Sequence, residues 1–169
     1  IPVHVGALPA AVAGVKDYFG DDIRPGDLFL INDPYWGGSH LPDLTVILPI
    51  FEGNAPAFWA VNRAHHSDIG GATHGAYNPE ATEIWQEGLR VPPIKLVEGG
   101  RLRADIENML AVNVRHSRSF LGDLRAQVGS VRVAERRLRR VLEEFGVVPA
   151  TEAMAEILDV QLDALELPA

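Results

Sequence analysis

Cysteine is absent from this 169-residue chain. Its absence excludes disulfide bonds, zinc–thiolate sites and thiol nucleophiles. A chain without cysteine also fits a reducing compartment, and we expect the protein to be cytoplasmic. Any metal site formed by this chain must therefore use nitrogen and oxygen ligands, which histidine and the acidic residues supply.

Long apolar runs and nucleotide-binding motifs are lacking as well. No apolar run approaches the ~20 residues that a membrane helix requires, so we expect no membrane partner. The chain has no G-x-x-x-x-G-K phosphate loop and no G-x-G-x-x-G motif opening a helix, so ATP binding on this chain is not supported. It begins at Ile1 without a signal segment, which we expect of the interior of a longer polypeptide.

Basic residues are scarce in the first part of the chain. Residues 1–100 hold 5 basic and 12 acidic side chains, whereas residues 101–149 hold 10 basic and 6 acidic ones. The acidic first part suits carboxylates gathered around a cation, and it argues against a nucleic-acid partner. The arginine-rich stretch 132–140 predicts the solvated or partner-facing side of a helix.

Two short glycine-bounded segments hold most of the reactive side chains. Residues 32–43 read NDPYWGGSHLPD, and residues 63–71 read RAHHSDIGG. Imidazole and carboxylate occur together in both segments, which is how a divalent metal site is built from nitrogen and oxygen ligands. The H-x-x-D spacing of His40 and Asp43 is a weak signal by itself, because turn and strand caps produce the same pattern.

The predicted strands bring these two segments together. Strands are expected at residues 28–31, 44–51 and 57–62. The last two form an antiparallel hairpin, so Asp43 at the start of one arm and His65 after the other lie at the end opposite the turn. His40, Asp43 and either His65 or His66 would form a two-histidine, one-carboxylate set with room for water or substrate, as in catalytic sites for Zn, Mn or Fe.

Helices are predicted around this sheet, at residues 7–19, about 80–87, about 101–114, 119–145 and from 151 onward. Pro9 lies in the first turn of the first helix, where a missing N–H is tolerated. Gly146 is suited to follow the end of the long helix, and Thr151 to cap the last one. The remainder of 70–100 is expected to be mostly loop.

The fold class is therefore α+β. We expect an antiparallel hairpin or small sheet with metal-site loops at one edge, followed by a long helix and an antiparallel helical pair. The pair would be sealed by one face of the last helix, formed by Met154, Ile157, Leu158 and Leu162. We divide the chain into a sheet-containing metal-site region, 1–100, and a helical region, 101–169, within one structural unit.

Two further aspartates have two interpretations each. Asp33 and Asp68 could accept the second N–H of a ligand histidine. They could equally serve turns, since Asp-Pro and Asp before Gly-Gly are ordinary turn formers. Tyr35 and Trp36 could form one wall of a pocket for an organic substrate, or pack within a loop.

Six motifs in order resemble the hydantoinase B family, which includes the B-type component of N-methylhydantoinase, the C-terminal part of 5-oxoprolinase and subunits of acetone and acetophenone carboxylases. The motifs are RPGD at 24–27, NDPY at 32–35, GSHLPD at 38–43, NRAHHSDIGG at 62–71, EIWQEGLRVPP at 83–93 and GDLRAQ at 122–127. The resemblance extends over nearly the whole chain.

This resemblance implies a segment of an ATP-dependent cyclic-amide hydrolase that carries a Zn or Mn site. The family's metal ligands match His40, Asp43 and His65, and His66 and Asp68 become catalytic candidates on the substrate side. A further acidic ligand is expected upstream of this chain. ATP would bind to a hydantoinase A-type partner subunit, so a hetero-oligomer acting on a small cyclic amide of the hydantoin or 5-oxoproline type is expected.

Two alternatives remain open. The chain could belong to the metal-site subunit of an acetone- or acetophenone-type ATP-dependent carboxylase. It could also be a non-catalytic assembly module whose long helix binds the partner subunit.

Overall fold

A computed structural model describes the backbone of residues 2–75 and 77–165 and the side chains of 6–75 and 77–157. The fold is α+β, as predicted, with a five-stranded antiparallel sheet and five α-helices among the described residues. The strands are β1 (Leu28–Ile31), β2 (Asp43–Glu52), β3 (Ala55–His65), β4 (Ile94–Glu98) and β5 (Arg101–Leu102). The helices are α1 (Pro2–Phe19), α2 (Ile84–Glu87), α3 (Ala104–Val112), α4 (Ser117–Phe145) and α5 (Val147–Leu165).

The predicted β2–β3 hairpin is confirmed. The strand order is β3-β2-β1-β4-β5, and every neighbouring pair is antiparallel. Gly53, with φ of 62°, supplies the left-handed residue of the hairpin turn. At the other end of the hairpin the register places Asp43 opposite His65, and Thr45 opposite Arg63.

The expectation of mostly loop over 70–100 is wrong for β4, and the start of the third helix is also wrong. β4 pairs with β1, and the two residues of β5 pair with β4 across a turn at Gly99 and Gly100. Short strands flanked by prolines and glycines look like loop locally. Their structure depends on β1, which lies more than sixty residues earlier.

Both faces of the sheet are covered within the first compact unit, Ile1–Arg132. On one face α1 packs onto a core that comprises Ala11, Val15, Phe29, Ile31 and Ile47. On the other, α4 lies against the hairpin through Gln127, which hydrogen-bonds to Leu44 and Asn62. β2 is consequently buried along its first eight residues.

Helix α1 differs from its prediction in a way that affects the segment 32–43. It begins at Pro2, so Pro9 lies inside the helix and not in its first turn. Gly14 of α1 abuts the backbone of Trp36, and a Cβ at this position would clash with the Trp36 carbonyl. The helix therefore approaches the short 3-10 helix Pro34–Trp36 closely enough to support the loop that contains it.

The second compact unit is Val133–Ala169. Gly146, with φ of 83°, follows the end of α4 as predicted. Thr151 is not a cap, because α5 begins at Val147 and the Thr151 hydroxyl donates to the Val147 carbonyl one turn earlier. Of the face expected to seal a helical pair, Met154 and Ile157 are exposed, whereas Leu158 and Leu162 lie outside the described side chains.

None of the helices within the described residues is long and apolar enough to cross a bilayer.

Candidate metal centre

His40, Asp43 and His65 come together at the open end of the β2–β3 hairpin. One potential ligand atom from each lies within 4.8 Å of the other two. Because Zn–N and Zn–O bonds are about 2.0–2.2 Å long, two ligands of one ion stand up to roughly 4.3 Å apart, so the set fits a divalent ion after a small contraction. Among the residues described, this is the one such group of three.

The environment of the three side chains is graded. Asp43 is buried, His40 is half-buried and the His65 side chain is half exposed. His65 Nδ1 lies 2.8 Å from Asp43 Oδ1, and the His40 ring stacks on the His65 ring with centroids 5.5 Å apart. A buried carboxylate with imidazoles toward solvent leaves coordination positions accessible, as catalytic metal sites require.

Backbone hydrogen bonds hold the ends of both segments together. Asp43 N–H donates to the His40 carbonyl at 2.8 Å, which closes the turn between these two residues. His66 N–H donates to the Pro42 carbonyl at 2.8 Å, which ties the end of β3 to the same turn. The convergence of the three ligand candidates therefore follows from strand register and from a closed turn.

Asn32 fastens the segment 32–43 from beneath, a role that the sequence analysis missed. Its fully buried amide donates to the carbonyls of Leu41 at 2.6 Å and Leu89 at 2.9 Å, and its Oδ1 accepts the Val91 N–H at 2.7 Å. A buried asparagine is retained only when its polar atoms are paired. Its position directly after a buried strand is the one sequence signal that could have pointed to it.

Arg63 is a second residue that sequence reasoning missed. Its Nε donates to Thr45 Oγ1 at 2.7 Å, Nη1 to Ser39 Oγ at 3.1 Å and Nη2 to the Gly37 carbonyl at 3.4 Å. Burial lowers the pKa of Arg63, and the nearby Asp43 carboxylate opposes that shift. A guanidinium thus lies beside the candidate metal centre with its donors directed at the protein itself.

His66 lies outside the ligand group. It is buried, its Nε2 lies 2.8 Å from Gln127 Oε1, and its ring packs against Phe120. The Gln127 amide nitrogen donates to the Leu44 carbonyl at 2.9 Å, which orients the amide and requires that His66 Nε2 carry the proton. Nδ1 of His66 has no hydrogen-bond partner among the described atoms.

Asp68 connects the second segment to the start of α4. Its carboxylate accepts N–H bonds from Gly70 at 3.0 Å, Arg115 at 2.5 Å and His116 at 3.2 Å, and it pairs with the Arg115 guanidinium at 3.4 Å. Burial alone would raise the pKa of Asp68, but these N–H groups and Arg115 outweigh it and hold the pKa below its usual value. These contacts are those of a structural carboxylate.

Asp33 also faces local partners instead of a ligand histidine. It caps the 3-10 helix by accepting the Tyr35 N–H at 3.0 Å, and it pairs with Arg90 Nε at 3.1 Å. Trp36 lines a cavity of about 490 Å³ with Trp85, as one of its two predicted interpretations requires, whereas Tyr35 is exposed beneath the Arg90 guanidinium.

Fold and geometry together define an α+β domain with an open candidate metal centre at the end of a hairpin. The Hydantoinase B/oxoprolinase family model matches residues 1–166. The chain belongs to the hydantoinase B/oxoprolinase family.

Similar proteins with curated names support this membership. The caprolactamase beta subunit of Pseudomonas jessenii is 41% identical over 160 residues, which are 95% of this chain and 28% of that protein. A 5-oxoprolinase of Pestalotiopsis fici is 34% identical over 157 residues, which are 86% of this chain and 12% of that protein. The chain thus spans less than a third of the length of either relative.

Solved structures agree with the fold. The crystal structure of ATP-dependent caprolactamase from Pseudomonas jessenii has a TM-score of 0.89 at 40% identity, covering 99% of this chain and 30% of that one. A nucleotide-free acetone carboxylase structure has a TM-score of 0.79 and covers 88% of this chain and 20% of that one. At 22% identity, the second likeness concerns the fold alone.

Proposed function

We propose that this chain is the metal-site segment of a subunit of an ATP-dependent cyclic-amide hydrolase. The observation that carries the proposal is the convergence of His40, Asp43 and His65 at the hairpin end. Family membership, with a caprolactamase subunit and a 5-oxoprolinase among the relatives, supports hydrolysis of a small cyclic amide.

The donor set fits a divalent ion such as Zn or Mn, with His40, Asp43 and His65 as its protein ligands. Such an ion lowers the pKa of a bound water to about 7 or polarises a carbonyl. Asp43 supplies the negative charge from its buried position, and the two imidazoles border the side that is open to solvent. The paired strands hold the Asp43 and His65 backbones in register.

His66 and Asp68 support this site without moving a proton in the proposed scheme. The Nε2 of His66 is engaged by Gln127, and the Asp68 carboxylate is engaged by Gly70 and Arg115. Both residues thereby hold the segment that follows β3 against α4. The general base for the attacking water is therefore sought outside these two side chains.

ATP is assigned to a partner subunit or domain of the hydantoinase A type, which would phosphorylate the amide before hydrolysis. The relatives from Pseudomonas are named as subunits, which supports a hetero-oligomer. Because the proposed reaction consumes ATP, we place the enzyme in the cytoplasm.

Metal content and activity test the proposal directly. The full-length protein is purified with its partner subunit as wild type, His40→Ala and Asp43→Asn, with His74→Ala as the control because His74 is an exposed loop residue. We expect ATP-dependent lactam hydrolysis and bound metal in the wild type and the control. The two ligand variants should lose metal affinity by at least ~100-fold, since they remove a ligand outright. Equal metal content in all four proteins would refute the site.

The likeness to acetone carboxylase favours one second candidate, the metal-site subunit of an ATP-dependent carboxylase. Product analysis separates the two candidates, with a lactam offered in one reaction and a ketone with bicarbonate in the other. If full activity persists in His40→Ala and Asp43→Asn, the chain is instead an assembly module.

A further inference from the structure

We infer that Arg63 is a positioning residue that orients the Asp43 carboxylate through the Ser39 hydroxyl. The inference rests on the proposed function, because it gives a reason for the precise placement of a metal ligand. It adds to the candidate centre a residue that lies one step behind the ligands.

The first observation is that Arg63 joins three points of the protein. From β3 its guanidinium donates across the strand pair to Thr45 of β2, and it donates to Ser39 and the Gly37 carbonyl in the loop that carries His40. The guanidinium is planar with donors in a fixed fork, so three simultaneous bonds define its position and its plane. The loop is thereby held at a set distance from the hairpin.

The second observation is the direction of the Ser39 proton. A hydroxyl has one proton to donate, and Arg63 Nη1 already donates to Ser39 Oγ. Ser39 Oγ lies 3.2 Å from Asp43 Oδ2, a carboxylate oxygen that accepts. The Ser39 proton is therefore directed to Oδ2, while Oδ1 of the same carboxylate faces His65 Nδ1 at 2.8 Å.

The two oxygens of Asp43 thus have different neighbours before any ion binds. A carboxylate left to rotate would have to be ordered upon metal binding, and that ordering reduces affinity. Outer hydrogen-bond partners of metal ligands change metal affinity about 10–100-fold when they are removed. The chain Arg63–Ser39–Asp43 is such a set of outer partners, built from both segments of the site.

Charge and geometry make opposite predictions for Arg63. A cation beside a divalent ion is electrostatically unfavourable, so a role based on charge would make its removal neutral or beneficial to metal binding. A role based on the fork requires arginine itself, because lysine keeps the charge but cannot make three directed bonds. Arg63→Lys and Arg63→Gln therefore separate the two.

The test uses the full-length protein with its partner, and Zn²⁺ or Mn²⁺ as the probe in competition with a chelator. We expect Arg63→Lys, Arg63→Gln and Ser39→Ala each to weaken metal affinity by ~10–100-fold, and Ser39→Thr, which keeps the hydroxyl, to restore most of it. The kcat at saturating metal should fall less than the metal affinity. Arg125→Lys is the control, since Arg125 pairs with Glu107 and its side chain is 65% exposed.

Wild-type metal affinity in both Arg63 variants, alongside loss of metal in His40→Ala, would overturn the inference and leave the proposed function standing. The crystal structure of the metal-free Arg63→Lys protein gives a test that needs no metal site at all. Unchanged Ser39–Asp43 and Asp43–His65 contacts in that crystal would overturn the inference, whereas a rotated Asp43 carboxylate would support it even if His40→Ala retained its metal.

Discussion

His65 and His66 are consecutive in sequence, yet they lie in different environments at the end of the same hairpin. The His65 side chain is 50% exposed and hydrogen-bonds to Asp43, within the candidate ligand group. His66 is 1% exposed and its ring contacts Gln127 and Phe120. Successive residues of an extended chain point to opposite sides, so one imidazole faces the open site and the other faces helix α4.

The comparison separates two tasks that a sequence motif combines. A side chain at the open site can be replaced with little loss of packing, but its chemistry is lost. A side chain between the hairpin and α4 contributes mainly to stability, because removing it leaves a cavity and unpaired polar groups. Variants of the two histidines should therefore affect different measurements.

The largest effect is expected for His65→Ala. Losing one of three ligands should reduce metal affinity and lactam hydrolysis by at least ~100-fold. The melting temperature of the metal-free protein should stay close to that of the wild type, since His65 is half exposed. Chelator competition and thermal unfolding with and without metal measure the two effects.

His66→Ala is the matched control for that variant, and it should show the reverse pattern. A marked loss of stability with metal affinity within a few-fold of the wild type is expected. If His66→Ala abolished metal binding in a protein that remained folded, the division of tasks between the two histidines would be wrong.

The next effect concerns Gln127, the contact of His66 on α4. Gln127→Leu leaves the His66 N–H and the Leu44 carbonyl without their partner, and a buried unpaired group costs about 1–3 kcal/mol. We expect a loss of that order in the free energy of unfolding, measured by denaturant titration.

The double variant His66→Leu/Gln127→Leu sharpens this prediction. Replacing both partners with apolar groups is less costly than orphaning one of them. The double variant should therefore be less destabilised than the sum of the two single variants. Simple additivity would show that the His66–Gln127 bond does not couple the hairpin to α4.

The smallest effect is the pH dependence contributed by Asp68. Its folded-state pKa lies below the usual value, so its stabilisation is present above about pH 4 and is lost as the pH falls through the folded pKa. Asp68→Asn should lower stability at neutral pH and flatten the acid side of the stability profile. An unchanged acid limb, measured by thermal unfolding between about pH 2 and 7, would contradict the role assigned to Asp68.

Much of the candidate site was predictable because its signals are local. Alternating and buried apolar residues with a Gly53 turn predict the hairpin, and the hairpin brings Asp43 to His65. The choice between His65 and His66, left open by spacing, followed from the family resemblance. The structure places His65 in the ligand group and His66 outside it.

The supporting residues were not predictable in the same way. Arg63 and Asn32 lie within the recognised motifs, but their roles are contacts with residues up to 59 positions away in sequence. Gln127 reaches Leu44 across 83 positions. Such contacts depend on which elements pack together, which no local pattern reports.

The sequence by itself determined the class of chemistry. Without cysteine, a metal site must come from histidine and carboxylate, and the H-x-x-D loop and the HH motif at the two ends of a hairpin supply both. Only the tertiary structure decided which side chains face that site and which brace it. The reason is physical: strand alternation and the packing of α1 and α4 on opposite faces of the sheet fix the direction of each side chain, and those are long-range properties of the fold.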